Sequence, residues 1–276
     1  MLRAGPGGRG EHSRAASPGG AVLHIVVHHK SGTFAAFSVY SMLCFDEAQQ
    51  QEFSHPRAND TKDHGFWRIW ATVASRCSHV TFHLNGAFPR ASWSSAMNHT
   101  AASVLHFVRD PVSMVTSGYL WHRSCNEHEW TNRSNYSARP SLMFPAAFPY
   151  RNRYCHHLQN ASMVSGIKME VARTIGALDG VGHMMHLTSL GHTLRGRYLA
   201  TCLDQKNVPL VDRFVRPFAR PGKQPIGEVK ILQHSTGSLV STEKRQRLDE
   251  IARRELERRF GKVALAAFPC ATRSQH

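Results

Sequence analysis

The residues best suited to chemistry in this sequence form a short loop, His-Lys-Ser-Gly-Thr, at positions 29–33. An apolar run rich in β-branched residues precedes the loop and apolar residues at helical spacing follow it, so residues 21–44 predict a buried strand, a tight turn and a helix. The first amides of such a helix have no partner within the helix, and Lys30 beside them adds a positive charge. The pattern predicts a binding site for a phosphate-like anion.

The order of residues in this loop differs from that of the loop that binds ATP or GTP. In the nucleoside triphosphate loop, G-x-x-x-x-G-K-[ST], the lysine follows the last glycine. Here Lys30 precedes Gly32, which is the only glycine of the loop. The sequence therefore argues against an ordinary ATP or GTP site.

A second stretch, ASVLHFVRDPVSMVTSGYLWHR at residues 102–123, repeats the order of strand, loop and helix. Its apolar run predicts a buried strand over 103–108, and Asp110 followed by proline predicts the start of a helix. Arg109 stands at the end of the strand, and Ser117 stands eight residues later on the helix. A guanidinium group and a hydroxyl group are both suited to hold a phosphate, the guanidinium through a planar fork of donors.

The elements that must position these residues predict an α/β fold. Strand patterns also occur at residues 79–84, which alternate and stop at a turn signal, and at 198–203. Strands that alternate with helical stretches are typical of a central parallel sheet flanked by helices, and such sheets bind ligands at the carboxyl ends of their strands. Apolar spacing predicts further helices at residues 161–177, 208–218 and 242–260.

The length of the chain fits one domain. Residues 1–20 are rich in Gly, Pro, Ser and Arg and cannot form a core, so we predict a disordered basic tail there. Residues 21–270 are predicted to form a single globular domain. Within it, residues 124–153 carry many aromatic residues and breaks, and they predict a long surface excursion suited to cover a substrate. We expect no transmembrane segment, because no apolar run is long enough to span a bilayer.

Taken together, the two stretches resemble the sulfotransferases that use 3′-phosphoadenosine 5′-phosphosulfate (PAPS). The first motif of that family, a strand followed by P-K-[ST]-G-T and a helix, is similar to the loop at 29–33, with His29 in the place of the proline. The second motif, an arginine at a strand end and a serine eight residues later, is similar to Arg109 and Ser117. The resemblance covers mainly residues 21–123, and it implies a sulfotransferase fold like that of P-loop NTPases.

The resemblance implies a role for each motif. Backbone amides would hold the 5′-phosphate of PAPS, namely those of Ser31, Gly32, Thr33 and Phe34. Lys30 would neutralise the charge that develops on the oxygen between phosphorus and sulfur. Arg109 and Ser117 would bind the 3′-phosphate. PAPS is a co-substrate in this family, and no metal is required.

The acceptor needs a base to take its proton, and the resemblance offers two kinds. In cytosolic members a histidine follows a short strand between the two motifs, and His83 has that position. In members that act on heparan-type chains, a glutamate between the first motif and this strand serves, and Glu52 or Glu47 has that position. We favour His83, because an imidazole titrates near neutral pH, and keep Glu52 as the alternative base.

The family has a third motif near its C-terminus, R-K-G-x-x-G, which also grips the 3′-phosphate. This motif is not visible in the sequence. Residues 220–223, Arg-Pro-Gly-Lys, and the loop at 234–237 are candidates to replace it.

The composition favours anionic ligands. The chain has 34 Lys and Arg against 19 Asp and Glu, a net charge of +15, and its surface field is therefore positive. The arginines are scattered rather than grouped into a stripe, so we expect a nucleotide co-substrate and a hydroxyl-bearing acceptor as partners, and no nucleic acid. The sequence leaves the oligomeric state open.

Two sequence features bear on the compartment, and they disagree. Five N-x-[ST] sequons occur where the composition gives about 1.3 by chance, which favours the Golgi or another secretory lumen. Residues 1–20 contain no apolar core for a signal peptide or an anchor, which favours the cytoplasm. The six cysteines include no C-x-x-C pair; we expect buried thiols, or disulfides if the chain enters an oxidising lumen.

The sequence thus favours a PAPS-dependent sulfotransferase that transfers a sulfuryl group to a hydroxyl or amine acceptor. The sequons and the basic charge favour a carbohydrate as that acceptor. One alternative is a non-catalytic basic module that binds anions. The other is a P-loop kinase that acts on a nucleotide or a small molecule, which the residue order of the loop disfavours.

Overall fold

The apolar runs of the sequence form a four-stranded parallel sheet in the computed structural model. The strands are β1 (Val22–Val27), β2 (Val80–His83), β3 (Ala102–Val108) and β4 (Tyr198–Cys202). Their order in the sheet is β2-β1-β3-β4. Ile25 of β1 lies between Phe82 and Leu105 of its two neighbours. The prediction of a parallel sheet built from these four stretches is confirmed.

The structure describes most of the predicted elements. The described residues are 21–28, 31, 33–45, 77–83, 102–125, 144, 147–150, 154–194, 196–202, 205–219 and 240–270. The predicted tail at 1–20 and most of the predicted excursion at 124–153 lie outside them.

Helices flank the sheet, as the sequence predicted. They are α1 (Thr33–Cys44), α2 (Pro111–Arg123), α3 (Tyr154–Asn160), α4 (Met163–Gly176), α5 (Val181–Gly191), α6 (Val208–Val215), α7 (Thr242–Phe260) and α8 (Lys262–Ala266). The helices predicted at 161–177, 208–218 and 242–260 correspond to α4, to α6 with the 3-10 turn that follows it, and to α7. The helices α3, α5 and α8 were not predicted.

Both faces of the central strands are covered by helices. On one face, Leu23 and Ile25 pack in one apolar cluster with Tyr40 of α1 and Val215 of α6. On the other face, Val26 packs in a second cluster that includes Leu187 of α5. Strands that are buried on both faces read as continuous apolar runs, which explains the sequence pattern.

A third apolar cluster joins the helices that follow β3. It contains buried residues of α2, α4 and α7, among them Val115, Ile167 and Leu248. The entry to α2 is fixed by Asp110, whose side chain accepts a hydrogen bond of 2.8 Å from the backbone amide of Ser113. Such an N-cap satisfies one of the free amides of the first turn. The cap and the cluster together hold α2 in one orientation against the sheet.

A buried group of charged side chains connects these helices. Glu170 of α4 accepts hydrogen bonds from Arg173 Nη2 at 2.9 Å and from Tyr154 OH at 2.7 Å, and its other polar neighbour is His122 Nδ1 at 2.9 Å. Arg173 also lies 3.4 Å from Asp179. Burial by itself would raise the pKa of the Glu170 carboxyl, but Arg173 and His122 hold it well below its usual value. Glu170 therefore stays ionised inside the protein, with partners on three elements.

All six cysteines are paired in disulfides. The pairs are Cys44–Cys77, Cys125–Cys155 and Cys202–Cys270. The expectation of buried thiols is therefore wrong, and the alternative of disulfides holds. Each bond closes a loop of 30 to 68 residues, and the restriction of the unfolded chain by such loops stabilises a fold by about 3–4 kcal/mol each.

The length and apolarity of the helices bear on the prediction that the chain has no transmembrane segment. Within the ranges that the structure describes, no helix combines the length and the apolarity that a membrane crossing needs.

Substitution of Glu170 should destabilise the fold strongly. In Glu170→Gln the guanidinium of Arg173 loses one of its two buried counter-charges, and we expect the free energy of unfolding to fall by about 3–5 kcal/mol. Urea unfolding followed by far-UV circular dichroism measures this loss. The matched control is Glu250→Gln, which removes the carboxylate of an exposed pair with Arg254 on α7 and should change the stability by less than about 1 kcal/mol. Equal effects of the two substitutions would contradict a structural role for the buried charges.

Candidate functional site

The predicted site residues belong to the carboxyl edge of the sheet. The strands are parallel, so β1, β2 and β3 end at the same edge. Ser31 follows β1, His83 is the last residue of β2, and Arg109 directly follows β3. The structure thus brings these three predicted residues to one edge, which is where parallel sheets bind ligands.

The turn after β1 is held by Ser31. Its backbone amide donates to the carbonyl oxygen of His28 at 3.0 Å. Its hydroxyl donates to the same carbonyl at 2.8 Å and accepts from the His28 amide at 2.8 Å. Helix α1 begins at Thr33 directly afterwards. Lys30, Gly32 and the side chain of Phe34 lie outside the described residues, so their predicted roles stay predictions.

A series of hydrogen-bonded side chains begins at His28, which directly follows β1. The Nε2 atom of His28 is 2.8 Å from Nε2 of His106, and Nδ1 of His106 is 2.6 Å from the hydroxyl of Tyr198. Burial, with the nearby His106 and His183, lowers the pKa of His28 well below its usual value, and burial lowers the pKa of His106 to about 3. Both rings are therefore neutral near pH 7. They tie the end of β1 to β3 and β4.

His83, the predicted base, is buried and contacts a second histidine. Its Nε2 atom lies 3.0 Å from Nδ1 of His24, and the side chain is 8% exposed. One of the two rings must donate and the other accept, so the pair fixes the orientation of His83. Glu52, the alternative base, and Glu47 lie outside the described residues.

The second predicted motif meets a cationic residue from a distant part of the chain. Ser117 is fully buried on α2, and its hydroxyl accepts a hydrogen bond of 3.4 Å from Arg245 Nη2 in the first turns of α7. Burial and the nearby charge of Arg245 both lower the pKa of Arg109, while Asp110 and Asp249 oppose this shift. We call Arg109, Ser117 and Arg245 the arginine cluster.

The arginine cluster is suited to an anion. The two guanidinium groups repel each other in a partly buried site, and a carboxylate, Asp249, lies 3.4 Å from Arg245 Nε. A doubly charged phosphate between them would offset the repulsion and accept hydrogen bonds from both groups and from Ser117.

The sequence motifs did not predict a role for Arg245. It is separated from Ser117 by 128 positions and lies outside both candidates for the C-terminal motif, 220–223 and 234–237. Those two loops lie outside the described residues. In the sequence, Arg245 is a basic residue near the start of the predicted helix at 242–260. Basic residues are common throughout that helix, so this position did not distinguish Arg245 from its neighbours.

A cleft of about 340 Å³ lies between the same two helices, further along α2. It is lined by Leu120, Arg123, Ser124, Gln159, Val240 and Lys244. Within the described part of the chain, Arg123 and Lys244 form no ion pair. The positive charge of the arginine cluster therefore continues into this cleft.

The chain was compared with known proteins at three levels. No protein-family model, no curated protein and no solved structure matches it. A functional conclusion therefore depends on the motifs of this sequence and on the geometry of its own site.

Acid should destabilise the fold through the buried histidines. The pKa of His106 is lowered to about 3 in the folded state. Below the usual histidine pKa of 6.5 the unfolded state therefore binds more protons than the folded state, and the free energy of unfolding decreases as the pH decreases. We expect His106 alone to remove about 2 kcal/mol of the free energy of unfolding between about pH 6.5 and pH 4.5. Asp179, whose burial raises its pKa to about 6, acts in the opposite direction over part of this range. Urea unfolding at the two pH values measures the difference.

His106→Gln is the control for this prediction. The amide does not titrate but can still bond to Tyr198, so the variant should lose less stability on acidification than the wild type does. An unchanged pH dependence in His106→Gln would show that His106 does not carry the effect.

Proposed function

We propose that this protein is a PAPS-dependent sulfotransferase with a sulfotransferase fold like that of P-loop NTPases. It transfers a sulfuryl group from PAPS to a hydroxyl or amine group of an acceptor, with carbohydrate as the favoured acceptor class. The observation that carries the proposal is the arginine cluster, in which Arg245 donates a hydrogen bond to Ser117 and lies close enough to Arg109 for its charge to lower the pKa of that guanidinium. Two arginines and a buried hydroxyl suit a phosphate dianion, which an ordinary nucleoside triphosphate does not have on its ribose.

The two ends of PAPS would be bound by different elements. The arginine cluster would hold the 3′-phosphate, with Arg245 in the role that the C-terminal motif has in the family. The amides at the start of α1 would hold the 5′-phosphate, and Lys30 would lie beside it. Ser31 supports this arrangement, because its hydrogen bonds to His28 fix the turn from which α1 begins.

Transfer requires in-line attack at sulfur. The acceptor oxygen or nitrogen forms a bond to sulfur as the bond from sulfur to the phosphate oxygen breaks, and adenosine 3′,5′-bisphosphate leaves. Lys30 would neutralise the charge on that leaving oxygen, and the acceptor proton would pass to the base. Positioning and charge stabilisation supply most of the rate in such reactions.

His83 remains the favoured base, with Glu52 as the alternative. A neutral imidazole at the carboxyl edge of β2 can accept a proton if the nitrogen that faces the acceptor is unprotonated. The contact with His24 supports this role, since a neighbouring ring that exchanges a hydrogen bond with His83 determines its tautomer.

Binding of adenosine 3′,5′-bisphosphate tests the arginine cluster. The wild type should bind this bisphosphate more tightly than adenosine 5′-phosphate, since only the bisphosphate reaches the cluster. In Arg109→Ala and in Arg245→Ala the affinity for the bisphosphate should fall about 10- to 100-fold, the loss expected for a charged hydrogen bond, while that for adenosine 5′-phosphate stays unchanged. Isothermal titration calorimetry measures all six dissociation constants, two for each of the three proteins.

The control variant is Arg247→Ala, which removes an exposed arginine from the same helix. It should bind both nucleotides as the wild type does. Two results would contradict the assignment of the 3′-phosphate to the cluster. One is an equal loss of affinity for both nucleotides in Arg245→Ala, and the other is a loss of bisphosphate affinity in Arg247→Ala as large as that in Arg245→Ala.

Turnover separates the enzyme from a non-catalytic anion-binding module. With ³⁵S-labelled PAPS and pooled phenols, sterols and neutral oligosaccharides, the wild type should label an acceptor and Lys30→Ala should not.

His83→Ala should lose at least about 100-fold in turnover, as expected for the loss of a general base, with unchanged affinity for the bisphosphate. If Glu52→Ala shows this behaviour and His83→Ala does not, Glu52 is the base. Bisphosphate binding without any transfer would favour the module.

A further inference from the structure

The pairing of every cysteine indicates the redox conditions in which the chain folds. Six cysteines form three disulfides, and none is free. Cytosolic thiols are kept reduced, whereas disulfides form and persist in secreted and lumenal proteins. Three disulfides without a remaining thiol are typical of a chain that folds in an oxidising compartment.

One sequon lies in the described part of the chain. The sequence has five sequons, at Asn59, Asn98, Asn132, Asn135 and Asn160. The first four lie outside the described residues. Asn160, in Asn160-Ala161-Ser162, is the last residue of α3.

The surroundings of Asn160 leave room for a large substituent. The buried side of α3 is formed by Tyr154, Cys155 and Leu158, while Asn160 is exposed. Its side-chain amide makes no hydrogen bond to any described residue. A group attached to this amide would extend into solvent and would displace nothing from the core.

We propose that Asn160 carries an N-linked oligosaccharide, added as the chain enters the lumen of the secretory pathway. The donor is an oligosaccharide linked to a lipid pyrophosphate. The amide nitrogen of Asn160 forms a bond to the anomeric carbon of the first sugar, the bond from that carbon to the pyrophosphate oxygen breaks, and the lipid pyrophosphate leaves. The amide proton passes to a base of the oligosaccharide transferase. This proposal does not depend on the sulfotransferase reaction.

The local structure requires that the sugar is added before the turn folds. The hydroxyl of Ser162, which the transferase must bind in the sequon, is the N-cap of α4 in the folded protein. It accepts from the Ser165 amide at 3.2 Å and donates to the Ser165 hydroxyl at 3.0 Å. Modification of the unfolded chain is the ordinary route for sequons, and the folded turn then leaves the sugar at the surface.

The test uses the full chain behind a cleavable leader, translated in the presence of microsomes. Trypsin releases peptide 154–168, in which Asn160 is the only asparagine. Removal of the glycan by an amidase in ¹⁸O-labelled water converts a modified Asn160 to labelled Asp, which mass spectrometry detects. Without reduction, the same peptide stays linked through Cys155 to peptide 124–133, which contains Cys125. One digest therefore reports both the sugar and the disulfide.

Two substitutions of Ser162 separate modification from folding. Ser162→Thr keeps both the sequon and the helix cap, and the label at residue 160 should be retained. Ser162→Asp keeps a good cap but destroys the sequon, so the label should disappear while the link between Cys125 and Cys155 remains. Protease-protected wild-type chain with this link and no label at Asn160 would overturn the proposal, and so would a label that persists in Ser162→Asp.

Discussion

Glu170 is an ionised group without access to water, and the arrangement of the helices around the site depends on keeping it satisfied. Its carboxylate draws together Arg173 of its own helix, His122 of α2 and Tyr154 of α3. Removal of Arg173 would leave the buried charge without its counter-charge, and removal of Tyr154 or His122 would take away a hydrogen-bonding partner that replaces water. The approach of α2 is close as well: a Cβ atom at Gly118 would lie 2.7 Å from a Glu170 oxygen, so only glycine fits there. Because Ser117 precedes this glycine, the buried charges determine where its hydroxyl lies.

The arginine cluster depends on a second contact, the packing of α7 against α2 and α4. The buried residues of α7 are Leu248, Ala252 and Leu256, which belong to the same apolar cluster as Val115 and Ile167. Arg245 precedes Leu248 by less than one turn of the helix. Burial of Leu248 therefore holds Arg245 against Ser117 and near Arg109, although the positive charges of Arg245 and Arg109 repel each other. Apolar packing, which is worth about 1.5–3 kcal/mol for each large buried side chain, is sufficient to hold two partly screened cations together.

The sequence predicted those parts of the fold that depend on local pattern. All four strands and the helix at 242–260 were found, because continuous apolar runs indicate strands buried on both faces and because Leu248, Ala252 and Leu256 recur at helical spacing. The roles of the candidate site residues stay predictions. Arg109 follows β3, Ser117 lies on α2 and His83 ends β2, in keeping with the predicted strands and helix, but the contact of Ser117 with Arg245 and the disulfide partners were not predicted. Nothing in the spacing of six cysteines or of many arginines specifies which of them meet in space; those contacts follow from tertiary packing.

The positive charge near the candidate site is only partly offset by carboxylates of the described residues. The excess of positive charge is +15. Among the described residues, the most deeply buried carboxylates are those of Glu170 and Asp179, and both are paired with Arg173 inside the helical cluster. Asp249 offsets part of the charge of Arg245, whereas Arg123 and Lys244 in the adjoining cleft form no ion pair with a described residue. A bound dianion would remove the repulsion between Arg109 and Arg245 and would bridge β3, α2 and α7. The ligand would thus complete the packing of α7, so its affinity and the stability of that helix are linked by the same contacts.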